Sequence, residues 1–283
     1  MLAAFLFGVT FVIVKDAVQD VTPAAFITFR FALGTVVLAP FAVVSHRRAS
    51  VRVDRATLLR AALPLGLVLC AGYFFQTVGL QYTSVSSSAF ITGLFVVFTP
   101  LIEVGLRRRG LGPVTATAVV LAGIGLFFIT GARPSLGEGE ALTLGCAVTF
   151  AVQIVMLGVW APRFHPLTLN TAQMAVLAVV SVPAVLVTGV GTLTARAIVA
   201  IAVTGVLCSA VAFTLQVRGQ ARVGATRSAL VLSFEPVFAA ATGYAVGKGL
   251  GALSALGATL ILVAVIVEEG GATWLEGRRA RRS

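Results

Sequence analysis

The chain repeats itself across its middle, and the spacing of the two copies restricts what it can fold into. Phe7-Gly8-Val9-Thr10-Phe11, Pro23 and Arg30 line up with Phe150-Ala151-Val152-Gln153-Ile154, Pro166 and Gln173, each pair 143 residues apart. Gln76 and Ser88-Ala89 match Gln216 and Ser228-Ala229 at a spacing of 140, and Pro100 matches Pro236 at 136. The last slip is about one helical turn. Of the 283 residues, 58% are hydrophobic and 11% charged, with a mean hydropathy of +1.03. Soluble domains carry about 25% charged residues, so the solvent of these copies is lipid. If each copy holds five spanning helices, an odd number, the second enters the membrane from the opposite side. The expected fold is therefore an all-α integral membrane protein with ten transmembrane helices in two inverted five-helix repeats. Residues 1–131 form the first and residues 132–283 the second, which ends in a basic cytoplasmic tail. Such a plan puts a substrate site between the halves, near the bilayer midplane.

A spanning helix needs about 20 apolar residues. Breaks at charge, Gly and Pro clusters give ten segments: 2–18, 23–44, 60–80, 84–106, 113–131, 141–160, 166–189, 196–217, 224–246 and 250–267. The first starts short, as if residues precede Met1. It lacks the basic region of a signal peptide, and its copy stands in mid-chain. The net charge of +11 comes from 19 Arg and 2 Lys placed mostly in the connections. With the N-terminus inside, the cytoplasmic loops and tail hold 16 basic residues and the outer loops 4, which are Lys15, Arg133, Arg196 and Lys248. That bias expects both termini in the cytoplasm of an inner-membrane protein. The charge is thus loop charge, and no nucleic-acid partner is expected. Ala122-Gly123-Ile124-Gly125 and the series Gly243, Gly247, Gly249, Gly251 offer the small residues that close helix packing in lipid requires.

Ionisable groups inside lipid need a partner or a purpose. Glu235 stands eight residues past Arg227, about 12 Å into a core about 30 Å thick. Pro236 beside it breaks the helix backbone. It reads as a contact for a substrate amine, a proton site, a partner for a buried Arg, or a protonated group bonded to another helix. Arg30 lies about 10 Å below the outer surface. It can fork onto a substrate carboxylate or snorkel toward Asp16 or Asp20. Glu103, with Arg107 four residues on, reads as a local helix pair. Gln76, Gln153, Gln173 and Gln216 stand well inside helices, with Tyr73, Tyr82, Asn170 and Ser84–Ser88 nearby. One such glutamine is interhelical glue; four, two of them at matching positions, suggest a polar wall around a cavity. Phe11, Phe74, Phe75, Phe90 and Phe213 would supply its apolar remainder.

Cys70, Cys146 and Cys208 fall in apolar runs without ligand spacing and read as packing residues. His46 and His165 lie in loops. No phosphate-cradling loop, nucleotide motif, metal-ligand cluster or nucleophile-base set is present in the sequence, so no enzyme activity, cofactor or metal is expected.

Phe26-Ile27-Thr28-Phe29-Arg30-Phe31, Gly79-Leu80-Gln81-Tyr82-Thr83-Ser84, Ala89-Phe90-Ile91-Thr92-Gly93, Phe98-Thr99-Pro100-Leu101 and Glu235-Pro236-Val237-Phe238-Ala239 resemble the EamA repeat of the drug/metabolite transporter superfamily. The resemblance covers essentially the whole chain. It implies a ten-helix, basket-like carrier of small metabolites, often an amino-acid exporter, that exposes one central cavity to each side in turn. It also implies a lining that includes Phe11, Gln76, Phe90, Gln153, Gln216 and Glu235. One departure stands out: relatives often carry Gly-Glu at the outer end of the ninth helix, where this chain has Gly247-Lys248.

The combined expectation is a carrier exporting small metabolites, amino acids first among them, by alternating access. Its binding residues would be Phe11, Tyr73, Gln76, Phe90, Gln153, Phe213, Gln216 and Glu235, with Arg30 either a substrate contact or a structural ion. Its partners are a small-molecule substrate and the lipid bilayer. A single midplane carboxylate permits proton coupling, whereas facilitated diffusion needs none. A carrier for nucleotide sugars or drugs and a membrane channel are the alternatives. A phosphorylated substrate calls for two or more cavity cations, and only Arg30 qualifies.

Overall fold

The computed structural model describes residues 1–48, 54–107, 110, 112–130, 137–238, 241 and 251–280. Side chains at 10–12, 15–16, 46–48, 85–86, 107, 129–130, 269 and 271–280 fall outside that description, which excludes those of Phe11, Lys15, Asp16 and Arg107. Residues 242–250, with Gly243, Gly247, Lys248 and Gly249, lie outside it altogether.

The apolar segments form α1 (Leu2–Ala17), α2 (Pro23–Arg48), α3 (Arg55–Tyr82), α4 (Val85–Gly93), α5 (Phe95–Arg107) and α6 (Pro113–Thr130). After the midpoint come α7 (Glu138–Trp160), α8 (Pro166–Thr188), α9 (Ala195–Val203), a π-helical stretch Thr204–Ala212 continuing into α10 (Phe213–Val223), α11 (Ala225–Leu232) and α12 (Ala252–Ala280). Helix resumes after α11 at residues 235–238. Among the described residues, six stretches are long and apolar enough to cross a membrane: Pro23–Ser45, Arg55–Tyr82, Ser87–Leu106, Glu138–Arg163, Pro166–Thr188 and Ala195–Val223. Pro113–Phe128 and Ala252–Glu268 are apolar but shorter.

The helices fall on the expected segments, with three departures. First, α3 starts at Arg55 instead of residue 60, because the Asp54 side chain accepts from the Thr57 N–H and caps the helix. α7 likewise starts at Glu138, with Glu138 and Glu140 in the first turn where the helix dipole favours acids. Second, α10 continues to Val223 and α12 to Ala280, past the expected 217 and 267. Third, two expected single spans are interrupted. One breaks at Leu94, between α4 and α5; the other breaks at Ser233-Phe234, after α11. Pro236 accounts for the second break: it has no N–H for the Leu232 carbonyl, and its ring crowds that carbonyl. The breaks are 140 residues apart, so the four-residue slip toward the matching prolines falls after them.

The packing crosses the midpoint of the chain throughout. α2 lies along α8, α3 along α7 and α8, α6 along α12, and the π-helical stretch against α1 and α2. Glycine allows the closest of these approaches. A Cβ on Gly34 would stand 2.9 Å from that of Ser209, and one on Gly125 would stand 2.8 Å from the Gly257 carbonyl oxygen, which no real Cβ tolerates. Gly125 thus does what the small-residue reading expected of it.

Polar clasps join the connections. The loop after α1 meets the loop after α8, where Val21 bridges Gly191 and the Thr22 hydroxyl donates to the Gly189 carbonyl at 2.7 Å. There Asp20 accepts from Thr194 Oγ1 at 2.8 Å and pairs with Arg196 at 2.9 Å, and these donors hold its carboxyl below the usual carboxylate range. At the other end of the helices, Thr226 Oγ1 donates to Glu103 Oε2 at 2.7 Å. Glu103 therefore ties α5 to α11, a contact that the i,i+4 pair with Arg107 did not foresee.

Candidate functional site

α1, α2, α3, α4, α5, α7, α10 and α11 converge on a cavity of about 70 Å³. At 10–15 Å³ for each water it has room for several waters. Seven of the nine expected site residues line it: Arg30, Tyr73, Gln76, Gln153, Phe213, Gln216 and Glu235. Of the other two, the Phe11 side chain lies outside the described residues. Phe90 faces away, with its ring edge-on to Phe127 at 5.9 Å in an apolar cluster. Thr92, two residues along the same helix, takes the cavity face instead. Two residues turn a helix by about 200°, so the two side chains cannot share a face.

The cavity wall is built from edge-on aromatic rings. Phe7 meets Phe213 with centroids 5.0 Å apart at 70°, and Tyr73 meets Phe150 at 5.3 Å and 63°. Such edge-to-face pairs lock ring orientation. Phe7 and Phe150 are a matched pair at 143, and Tyr73 and Phe213 stand 140 apart, so one contact is the image of the other. Gln76 and Gln216 also both reach the cavity, as do Thr92 and Leu232, the latter pair just before the two helix breaks. The sequence reading missed Phe7 and Phe150 as lining residues although it had matched them. The signal was available in the rule that a site between two copies draws on equivalent positions of both.

Arg30 is 5% exposed and does not snorkel toward Asp20. Its Nε donates to Ser209 Oγ at 3.0 Å and its Nη2 to the Tyr73 hydroxyl at 3.3 Å. The guanidinium also lies 4.8 Å from the Tyr73 ring centroid and 5.1 Å from that of Phe31, a cation–π arrangement. Ser209 belongs to the π-helical stretch, where Phe213 N–H donates to the Cys208 carbonyl five residues back. Such bulges displace backbone carbonyls from their ordinary donors. Here Asn170 Nδ2 donates to the Ser209 carbonyl at 3.2 Å and to Thr214 Oγ1 at 2.9 Å. Gln173 Nε2 donates to Asn170 Oδ1 at 3.0 Å, and Gln153 Nε2 to Gln173 Oε1 at 3.4 Å. Gln173, the counterpart of Arg30, thus sits one layer behind the cavity and supports Gln153 at its edge.

Gln76, Gln216 and Glu235 differ. Among the described residues none of the three has a hydrogen-bond or ion-pair partner, although Gln216 is 8% exposed. Glu235 follows the helix break, and Pro236 frees the Leu232 carbonyl beside it. The site therefore presents one carboxylate and two amides among phenylalanine rings, facing an arginine whose Nε and Nη2 are already engaged. Among the described residues no group of three or more His, Cys, Asp or Glu side chains could hold a metal ion.

A model of the EamA-like transporter family matches residues 1–131 and again residues 137–267. A protein of Archaeoglobus fulgidus described as an uncharacterized transporter is 30% identical over 268 residues, covering 94% of this chain and 83% of its own length. A solved crystal structure superposes with a TM-score of 0.78 over 97% of this chain and 96% of that one; at 18% identity, this is a likeness of fold.

Proposed function

Because this chain belongs to the EamA-like transporter family, and so moves small solutes across a membrane that it crosses many times, we propose that it is a ten-span secondary carrier exporting small metabolites, amino acids foremost. In this reading residues 1–131 and 132–283 are inverted five-helix halves in the inner membrane, with both termini cytoplasmic. The halves rock about the cavity so that it opens to one side at a time. Glu235 and the free amides of Gln76 and Gln216 take the polar end of the substrate; Phe7, Phe150 and Phe213 hold its apolar part. Glu235 is also the group through which a proton could be coupled.

The observation that carries this reading is the pairing of equivalents at the cavity. The contact Phe7–Phe213 returns as Phe150–Tyr73, and both glutamines of the Gln76/Gln216 pair point into the same space. The helix packing supports it as well. An exchange of halves would turn the contact of α3 with α8 into that of the π-helical stretch with α2, and both are present. The engagement of Arg30 argues against phosphorylated substrates, which require free cations.

Counterflow in proteoliposomes tests the reading. Vesicles preloaded with a pooled amino-acid mixture should accumulate labelled amino acid transiently above equilibrium. No accumulation by folded protein removes amino acids from the proposal, and flux that never saturates replaces the carrier with a channel.

A further inference from the structure

A second cleft, of about 600 Å³, lies away from the cavity at one end of the helices. It is walled by α10 from Thr214 to Arg222, the turn Ala161–Arg163 after α7 and the start of α8. Three apolar spans, Glu138–Arg163, Pro166–Thr188 and Ala195–Val223, begin or end around it, which sets it at headgroup depth. Arg218, Arg222 and His165 line it, all exposed, and no lining residue is acidic. Among the described residues neither arginine has an ion-pair or hydrogen-bond partner. Arg163, at the rim, lies 5.1 Å from the Trp160 ring centroid, and tryptophan is characteristic of the membrane interface. Below the cations the lining turns apolar at Phe164 and Leu167.

The fold does not require these charges. At the matching positions of the first half, 143 or 140 residues earlier, stand Asp20 for Arg163, Thr22 for His165, Val78 for Arg218 and Tyr82 for Arg222. One corner of the molecule is built twice, and these matching positions carry cations only in the second half. Arg218 and Arg222 are one turn apart on α10 and so present two guanidinium groups to one concave space, an arrangement that fits a phosphate. The apolar floor fits the glycerol and upper acyl carbons attached to that phosphate.

We propose that this cleft is a binding site for the headgroup of an anionic phospholipid, with Arg218 and Arg222 as its phosphate contacts. The test is the binding of dioctanoyl phosphatidylglycerol and dioctanoyl phosphatidylcholine to the purified full chain, followed by native mass spectrometry and by the thermal midpoint. Phosphatidylglycerol should be retained and phosphatidylcholine should not. Near a membrane surface each Lys or Arg contributes about 1 kcal/mol, so the Arg218→Ala/Arg222→Ala pair should weaken retention about 30-fold. Arg55→Ala/Arg60→Ala, the same charge change elsewhere, should leave it intact. Equal loss in both double variants would mean diffuse surface attraction and would overturn the site. So would equal binding of the two lipids, and displacement of phosphatidylglycerol by equimolar inorganic phosphate would reassign the cleft to soluble anions. If the alanine pair does not fold, Arg218→Gln/Arg222→Gln gives the same reading.

Discussion

Two sets of polar groups face or back the central cavity, and they are held in opposite ways. Arg30, Gln153, Gln173, Asn170 and Tyr73 are bonded to one another or to the π-helical stretch. Gln76, Gln216 and Glu235 reach the same space without hydrogen-bond or ion-pair partners among the described residues. The first set spends its hydrogen-bonding capacity on holding helices together; the second keeps it for whatever enters. Charge inside the membrane alone would rank Arg30 and Glu235 as equals, and bonding separates them: Arg30 is tied to Ser209 and Tyr73, whereas Glu235 is the group that a substrate of the proposed carrier would meet.

The widest separation between the sets should appear at Glu235. Hydrogen bonds to charged groups are worth roughly 1.5–3 kcal/mol, so Glu235→Gln should raise the substrate KM in counterflow about 10- to 100-fold. It should leave the thermal midpoint in detergent nearly unchanged. Unaltered transport and pH dependence would remove this carboxylate from the mechanism. The opposite pattern is expected at Asn170, which is buried behind the cavity and does not line it. Asn170→Ala releases the Ser209 carbonyl and unseats Gln173, and interhelical bonds in membranes average about 0.6 kcal/mol with a maximum near 1.7. A stability loss of roughly 1–2 kcal/mol in thermal or denaturant unfolding follows, with the KM changed less than at Glu235. A KM effect as large as that of Glu235→Gln would erase the distinction between the two sets.

Much of this is legible in the sequence, and what is not legible there has definite physical causes. Hydropathy and loop charge locate helices because lipid forces every backbone group into internal bonding. The start of α3 escaped because Arg55 and Arg60 mark where lipid ends, whereas Asp54 marks where the helix ends. The sequence reading prefers Phe90 because it seeks aromatic rings for the apolar lining, whereas Ser88 and Thr92, one turn apart and buried, mark the polar side of that helix. The π-helical stretch, which explains why Arg30 points at Ser209, has no signature in Thr204–Ala212. The tie between Glu103 and Thr226 joins residues 123 apart in the chain, a distance over which a charge-spacing rule is silent.

Gln216 offers a finer test than Asn170, because its amide ties no helix to another among the described residues. Gln216→Leu should leave stability unchanged or slightly raised, while substrate KM rises about 2- to 10-fold, the worth of one neutral hydrogen bond. Gln76→Leu should repeat the result if the two halves contribute alike. A stability loss at either position would show that these amides hold helices after all and belong with the tied set.

The smallest effect lies outside the cavity, at Asp20, whose carboxyl is held below its usual range by its bonds to Arg196 and Thr194. A carboxylate whose folded pKa is depressed adds stability that is complete above the unfolded value and is lost as pH falls through the folded one. Asp20→Asn should therefore lower the thermal midpoint slightly at pH 7, and the gap to the parent should close as the buffer is taken below the ordinary carboxylate range. Because Arg196 is exposed, salt should shrink the gap at neutral pH as well. The Val21–Gly191 bridge and the Thr22–Gly189 bond remain in the variant, so the loops stay joined while the charge is removed. A gap that persists undiminished at low pH would assign the effect to the geometry of the loop instead of the ion pair.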